Sequence, residues 1–292
     1  MTVRPRDRVL VTGAASGLGL ALVRLLAERG CRVLATDLAT AVPDPVRALV
    51  DAAVPASPAP VRTSPASGDH AVTAEIAYRT LDVRSDDDWA AARRWVEDEW
   101  RGLDLLLNNA GVAAGGRIEL VPMDEWQWII DINLLGVVRG CHTFAPMLKA
   151  QGSGHIVNTA SAAGLVHPPR MSSYNAVKAG VVALSETLSH ELGAYGVTVS
   201  VVCPTFFRTN LADSLPGSDP DAQRSARQLI DQARLGPDEM AIAVLKGIDA
   251  VRHLILPDRE ARLAYLTKRF ARPLYNRQMS KLARHMRDTA ER

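Results

Sequence analysis

The segment RVLVTGAASGLGLALVRLLAERG, residues 8–30, combines a short apolar run, a glycine-rich turn and an amphipathic pattern, in that order. The apolar run predicts a strand, and the leucines after the turn recur at helical spacing. A strand, a tight turn and a helix in this order let backbone amides approach a pyrophosphate, which the helix N-terminus then attracts. The segment therefore predicts a dinucleotide-binding unit. Its turn contains Gly13, Gly17 and Gly19.

Apolar runs alternate with helical patterns along the rest of the chain, a pattern typical of a parallel sheet with helices on both faces. The sequence therefore predicts an α/β, doubly wound Rossmann fold with a seven-stranded parallel sheet over residues 1–257. Strands are predicted near residues 8–12, 32–36, 75–81, 103–108, 154–160, 197–203 and 253–256. Helices are predicted to start near Gly17, Pro43, Ser85, Met123, Ser172 and Pro237, the last two after short helices in the connecting loops.

Composition limits the classes of protein to consider. The chain has 292 residues, 47% of them hydrophobic, which suffices for one large core. The net charge of +2 comes from interspersed charges and does not indicate nucleic-acid binding. No apolar run reaches the roughly 20 residues of a membrane span and no signal segment precedes the first strand, so we expect a cytoplasmic protein. Cys31, Cys141 and Cys203 lie within apolar elements, which favours reduced core thiols over disulfides or metal ligands.

Two segments stand apart from this pattern. Residues 54–70 are rich in Pro, Ala and Ser, and we expect a flexible insertion at the end of the sheet away from the cofactor. Residues 258–292 carry ten basic and four acidic side chains, a net charge of +6, and have apolar residues at helical spacing on both sides of Pro273. They predict a basic, amphipathic, helical C-terminal extension. Its apolar faces are expected to pack on the domain, a neighbouring subunit or the substrate pocket, with peripheral membrane contact as the alternative.

Tyr174 and Lys178 stand four residues apart, a spacing that puts both side chains on one helix face. Lowering the pKa of a tyrosine from about 10 to near 7 requires about 4 kcal/mol. One positive charge about 4 Å away supplies about that much at an effective dielectric near 20. We therefore expect Lys178 to make Tyr174 a proton donor and acceptor at neutral pH.

The turn TGAASGLG, residues 12–19, matches the TGxxxGxG turn of the short-chain dehydrogenase/reductase superfamily, which the chain resembles over about residues 7–257. The resemblance implies a nicotinamide-dependent oxidoreductase built on one Rossmann-type domain. Further matching positions follow in the family's order: Asp82-Val83, NNAG at residues 108–111, Asn133, Ser161, Tyr174 with Lys178, and Pro204 with Thr209.

The expected cofactor is NAD. Asp37 ends the second predicted strand, where a carboxylate accepts both hydroxyls of the adenosine ribose and repels a 2′-phosphate. Ser16 stands in the glycine turn, where NADP users of the family often have a basic residue, so NADP is the less favoured alternative. The cofactor-binding residues that the resemblance implies are Gly13, Ser16, Gly17, Leu18, Gly19, Asp37, Asp82, Val83, Asn109, Ala110, Gly111, Tyr174, Lys178, Pro204 and Thr209.

The resemblance also implies a catalytic tetrad that interconverts a secondary alcohol and a ketone. Ser161 would bind the substrate oxygen, while Tyr174 would remove the hydroxyl proton. Lys178 would hold the nicotinamide ribose, and Asn133 would bind a water that links Lys178 to a proton relay. No metal is expected.

The segments expected around the substrate, residues 163–171 and 205–236, are mainly apolar and favour an alcohol or ketone on a hydrophobic body. Substrate contacts are predicted for Ser161, Leu165, His167 and Phe206, although His167 is alternatively an exposed turn residue. The family commonly has Pro-Gly after the sixth strand, whereas this chain has Pro204-Thr205. Because threonine lacks glycine's freedom at positive φ, we expect this loop to follow a different path.

Three other interpretations stay open. They are an NADP-dependent ketoreductase, a non-catalytic NAD-sensing or scaffold protein, and an epimerase or dehydratase of the longer branch of the superfamily, which has a differently spaced glycine turn. Relatives imply a homodimer or homotetramer that associates through the helices containing Asn133 and Tyr174.

Overall fold

A computed structural model describes residues 2–53 and 75–290. The segment predicted to be an insertion, residues 54–70, lies outside the described residues. The described chain forms one seven-stranded sheet in the order β3-β2-β1-β4-β5-β6-β7, with every neighbouring pair parallel. The strands are β1 Arg8–Thr12, β2 Arg32–Asp37, β3 Glu75–Thr80, β4 Leu105–Asn108, β5 Gly154–Thr159, β6 Val197–Val202 and β7 Leu254–Ile255.

Helices cover both faces of the sheet, as the sequence predicts. The α-helices are α1 Gly17–Glu28, α2 Asp44–Ala53, α3 Asp86–Trp100, α4 Met123–Ile130, α5 Gly136–Gln151, α6 Ala163–Val166, α7 Ser172–Gly193, α8 Pro220–Asp231, α9 Pro237–Asp249, α10 Arg259–Phe270 and α11 Arg272–Ala290. A π-helical turn, Asp131–Leu135, joins α4 to α5, and a 3₁₀ turn, Asn210–Ser214, precedes α8. The short helices predicted before α7 and α9 are therefore present.

Two buried clusters hold the helices on the sheet. Leu22 and Leu26 of α1 pack with Val244 and Ile248 of α9 on one face. On the other face, α3, α5 and α7 share a second cluster. Parallel strands covered on both faces are expected to be continuous apolar runs, and β1 and β4 have this character.

The strand order reverses direction between β1 and β4, and this topological switch point positions the site. In open parallel sheets, ligands bind outside the carboxyl ends of the strands at such a point, where the loops diverge. The residues that follow β1, β4, β5 and β6 therefore meet at one edge of the sheet. They include the glycine turn, the NNAG segment, Ser161 and Pro204.

The C-terminal extension consists of two helices, as predicted. The chain leaves helical geometry at Ala271, the C-cap of α10, and Pro273 is the second residue of α11. No helix in the described part of the chain is long and apolar enough to cross a membrane.

Candidate active site

The glycine turn after β1 has no room for side chains at two positions. Gly13 has φ +65°, and a Cβ atom there would lie 2.8 Å from Cα of Ala110. A Cβ atom on Gly19 would overlap the carbonyl oxygen of Gly13 and lie 2.7 Å from Nδ2 of Asn109. The turn thus packs backbone against backbone beside the N-terminus of α1, leaving a surface of peptide groups suited to a pyrophosphate.

Thr12 and Asn109 hold the glycine turn to the end of β4. The Thr12 hydroxyl accepts hydrogen bonds from the backbone amides of Asn109 and Ala110, each at 3.0 Å. Nδ2 of Asn109 donates to the carbonyl oxygens of Thr12 at 3.0 Å and Gly13 at 3.3 Å. These bonds fix the two strand ends to each other, so the cavity between them has rigid walls.

A cavity of about 550 Å³ extends along this edge of the sheet. Every residue predicted to bind the cofactor lines it, from Asp37 at one end to Tyr174 and Lys178 at the other. Ser161 and Phe206 also line it. The structure therefore brings together residues that are separated by as many as 196 positions in the printed sequence, from Gly13 to Thr209.

Asp37 closes the far end of the cavity. Its Oδ2 accepts a hydrogen bond from the backbone amide of Ala15 at 2.8 Å, and its Oδ1 accepts one from Leu38 at 2.8 Å. Each carboxylate oxygen keeps lone pairs for a further donor. The carboxylate is thus oriented by the turn that it flanks and can accept hydroxyl groups from the cavity.

The Asp82 carboxylate forms an ion pair with Arg84. Arg84 donates to both carboxylate oxygens, with Nη2 2.6 Å from Oδ2 and Nε 3.0 Å from Oδ1. The hydrogen bonds from Arg84 outweigh burial and lower the pKa of Asp82. Arg84 was not among the predicted site residues, but it lines the cavity beside Val83.

Tyr174, Ser161 and Lys178 meet at the other end. Helix α7 places Lys178 one turn after Tyr174, and its ammonium lies 5.8 Å from the centre of the Tyr174 ring. Ser161 lines the cavity close enough to Tyr174 to affect its pKa, and its hydroxyl donates to the carbonyl oxygen of Pro204 at 3.4 Å. The Ser161 hydroxyl accepts from the backbone amide of Ala163 at 3.1 Å. The side chains of Tyr174 and Lys178 are buried, with exposed fractions of 9% and 3%.

The prediction that Lys178 lowers the pKa of Tyr174 towards 7 is wrong for the polypeptide without a cofactor. Burial raises the pKa of Tyr174 to about 12, against the opposing effect of Ser161. Burial likewise lowers the pKa of Lys178 to about 8. The sequence argument counted the attraction between the two charges and omitted the cost of removing them from water, which is the larger effect here. Nζ of Lys178 instead donates to the carbonyl oxygen of Thr159 at 3.0 Å.

Asn133 lies behind this end of the cavity, in the π-helical turn rather than in a regular helix. It is fully buried, and its amide is satisfied by one residue: Nδ2 donates to the carbonyl oxygen of Val112, and Oδ1 accepts from the amide of Val112, each at 2.8 Å. A Cβ atom on Gly111 would lie 3.0 Å from Oδ1 of Asn133 and 3.6 Å from Nζ of Lys178. The space beside Cα of Gly111 is therefore bordered by both polar groups.

Two of the predicted substrate contacts lie elsewhere. The residues lining the cavity include Val166, Pro168 and Met171 but neither Leu165 nor His167. The ring of His167 turns back to the carbonyl oxygen of Gly164, 3.1 Å from Nε2. Its Nδ1 lies 2.7 Å from Nζ of Lys268 on α10, and Lys268 also donates to the carbonyl oxygen of Leu165.

The substrate end has an apolar lining that sequence analysis found only in part. Val166, Met171, Phe206, Leu211 and Leu215 come from the two predicted segments. The sequence analysis missed further lining residues because their contribution depends on how distant elements pack, and no local motif marks them. Among them are Ala113, Trp128 and Ile132, which lie outside both predicted segments.

The loop after β6 accommodates threonine where the family commonly has glycine. Thr205 is not among the residues with positive φ, so glycine's freedom is not needed there. Its backbone amide donates to Oδ2 of Asp258 at 3.0 Å, while Oδ1 of Asp258 caps α10. The carboxylate therefore joins the loop to the C-terminal extension. Thr209 still reaches the glycine turn, because a Cβ atom on Gly17 would lie 2.7 Å from its hydroxyl oxygen.

Comparison with known proteins agrees with this geometry. A family model described as short chain dehydrogenase matches residues 7–219. A cis-4-hydroxycyclohexanecarboxylate dehydrogenase from Sinomonas cyclohexanicum is 38% identical over 237 residues, which cover 80% of this chain and 86% of that protein. A short chain dehydrogenase/reductase from Burkholderia phymatum in complex with NAD has a TM-score of 0.80 at 29% identity and covers 94% of this chain and 96% of its own. One from Sphingobium yanoikuyae in complex with NADPH has a TM-score of 0.70 at 24% identity, covering 93% and 94%, and shows the fold alone.

Proposed function

The chain belongs to the short chain dehydrogenase family, and we propose that it is an NAD-dependent oxidoreductase that interconverts a secondary alcohol and a ketone on a neutral, largely apolar small molecule. The single observation that carries the proposal is the meeting of Ser161, Tyr174 and Lys178 on the wall of one cavity, with Lys178 one helical turn after Tyr174 and its ammonium 5.8 Å from the ring centre. Relatives that act on hydroxyl or keto groups support the reaction class.

The residues of the cavity fit a nicotinamide dinucleotide. The backbone cradle at Gly13 and Gly19, which a Cβ atom would fill, suits the pyrophosphate. Asp37 would accept the adenosine ribose hydroxyls and repel a 2′-phosphate, which favours NAD over NADP. Lys178 would hold the nicotinamide ribose, and Thr209 and Pro204 would contact the nicotinamide carboxamide. A bound nicotinamide supplies hydride transfer to and from the reacting carbon.

The protein's own side chains would transfer the proton of the substrate hydroxyl. Ser161 donates a hydrogen bond to the substrate oxygen and holds it beside Tyr174. During oxidation Tyr174 accepts the hydroxyl proton, and during reduction it donates that proton to the carbonyl oxygen. Lys178 would pass protons towards Asn133. Because burial alone keeps the Tyr174 pKa near 12, proton removal requires additional positive charge in the closed site.

The substrate should be uncharged. Among the described residues lining the cavity, the charged side chains are Asp37, Asp82, Arg84 and Lys178, and none belongs to the loops around the substrate end. A carboxylate placed there would lose its hydration without gaining a cationic partner. The Sinomonas relative is named for a hydroxycyclohexanecarboxylate, so we expect this chain to differ from it in substrate charge. We also expect a homodimer or homotetramer.

A matched pair of substrates tests the proposal. The purified protein is mixed with NAD or NADP and with hydrophobic secondary alcohols, including methyl 4-hydroxycyclohexanecarboxylate and the corresponding free acid. We expect NAD reduction, seen as absorbance of the reduced nicotinamide, with the ester preferred over the acid by about tenfold or more in kcat/KM. NAD binding without turnover of any alcohol or ketone would favour a sensor or scaffold instead, and preference for the acid would contradict the assignment of a neutral substrate.

A further inference from the structure

The C-terminal extension exposes a row of large apolar side chains, which we call the outer stripe. Leu263 is 64% exposed, Leu266 42%, Phe270 76% and Leu274 52%. The first three are spaced by three and four residues on α10 and therefore share one helix face. Leu274 follows in the first turn of α11. Contiguous apolar surface of this kind marks an interaction site more often than scattered exposed residues do.

The opposite face of α10 is the one that holds the helix to the domain. Ala261 is fully buried, and Lys268, seven residues later on the same face, donates to the carbonyl oxygen of Leu165. Asp258 fixes the start of the helix to Thr205. These anchors orient α10 so that its outer stripe points away from the domain. Of the expected partners of the extension, a neighbouring subunit or a membrane surface is therefore left for this face.

Positive charge borders the outer stripe along one flank. Arg259, Arg262 and Arg269 are exposed on α10, and Glu260 is the acidic residue of its first turn. Residues 258–292 as a whole carry a net charge of +6. Apolar side chains bordered by arginines are the pattern of a helix that lies in the interface of an anionic bilayer, with its apolar face among the acyl chains and its cations at the headgroups.

We propose that the outer stripe docks this protein on the surface of an anionic lipid bilayer. A second copy of the chain fits less well, because a symmetric contact through the stripe would place each set of arginines against its own copy and bring like charges together. An anionic surface instead matches both features of the stripe. The inference is independent of the redox assignment, since no residue of the outer stripe lines the cavity.

Vesicle co-sedimentation of the full chain tests the proposal. The probes are phosphatidylcholine vesicles with and without phosphatidylglycerol, at low and high salt. The double variant L263D/F270D removes the stripe, and Ile242→Asp on α9 is the matched control because Ile242 is an apolar side chain 43% exposed outside the extension. Circular dichroism and NAD titration establish that the variants are folded.

The wild type and Ile242→Asp should bind the anionic vesicles at low salt. Their binding should fall about tenfold or more on neutral vesicles, and likewise on anionic vesicles at high salt. The L263D/F270D variant should lose binding by about tenfold or more on the anionic vesicles. The proposal is overturned if the wild type does not sediment with anionic vesicles or if the double variant sediments equally. It is also overturned if light scattering shows that the double variant dissociates an oligomer while vesicle binding by the wild type is absent.

Discussion

The hydroxyl of Tyr174 belongs to a buried side chain that lines the cavity with Ser161, and loss of that single atom removes the proton donor and acceptor. Tyr174→Phe should lower kcat/KM about a thousandfold, while the Kd of NAD stays nearly unchanged because the ring still fills its space. Steady-state kinetics and a fluorescence titration measure the two quantities. Tyr195→Phe is the matched control, since Tyr195 is 48% exposed and away from the cavity. Activity of Tyr174→Phe within tenfold of wild type would exclude the assigned role.

At the adenosine end, one charge is expected to decide between NAD and NADP. Asp37→Asn removes the negative charge and keeps one oxygen, so it can retain one of the two hydrogen bonds that the backbone amides of Ala15 and Leu38 donate to Asp37. The preference for NAD over NADP, as a ratio of kcat/KM values, should fall about tenfold or more. Asp51→Asn on the exposed side of α2 serves as the control. An unchanged preference would show that a different group reads the ribose.

At the scale of elements, the close approach of the glycine turn to the end of β4 sets a steric limit. Gly19→Ala would place a methyl group on the carbonyl oxygen of Gly13 and should destabilise the fold by about 2 kcal/mol while weakening NAD binding. Gly193→Ala, where a Cβ atom meets nothing within 4 Å, should instead stabilise it by about 0.5 kcal/mol. Urea denaturation compares the two variants. Equal effects would mean that the close packing of the turn is not required.

For the whole molecule, burial of Lys178 makes stability depend on pH. Its pKa falls from 10.5 in the unfolded chain to about 8 in the folded protein because burial penalises the ammonium. Between these values the unfolded chain binds more protons, so the free energy of unfolding rises with pH and is lowest where the lysine is charged in both states. The stability of the wild type minus that of Lys178→Met should therefore rise by about 2 kcal/mol from pH 8 to pH 10.

Urea denaturation at a series of pH values measures that difference. Groups present in both proteins cancel in the comparison, and Tyr174, whose pKa is raised by burial, titrates mainly above this range. A difference that stays flat with pH would show that Lys178 keeps an ordinary pKa when the chain folds.

Local signals were enough to predict the sheet. The apolar runs of β1, β4 and β6 and the turn at Gly13 set strand positions, and the predicted seven-stranded parallel architecture is confirmed. The residues chosen for the cofactor all line one cavity, although their roles stay predictions. Signals that depend on distant packing were not visible. Trp128 and Ile132 reach the cavity through tertiary contacts, and the π-helical turn at Asn133 has no sequence signature that periodicity detects.

Lys268 touches the backbone of the loop between β5 and α7 from outside, at Leu165, while Val166 and Met171 of the same loop face the cavity. One short stretch of chain is thus shared by two surfaces. Thermodynamic linkage then applies. If a contact made by α10 changes the affinity of the cavity for a ligand by some factor, filling the cavity changes the affinity of α10 for that contact by the same factor.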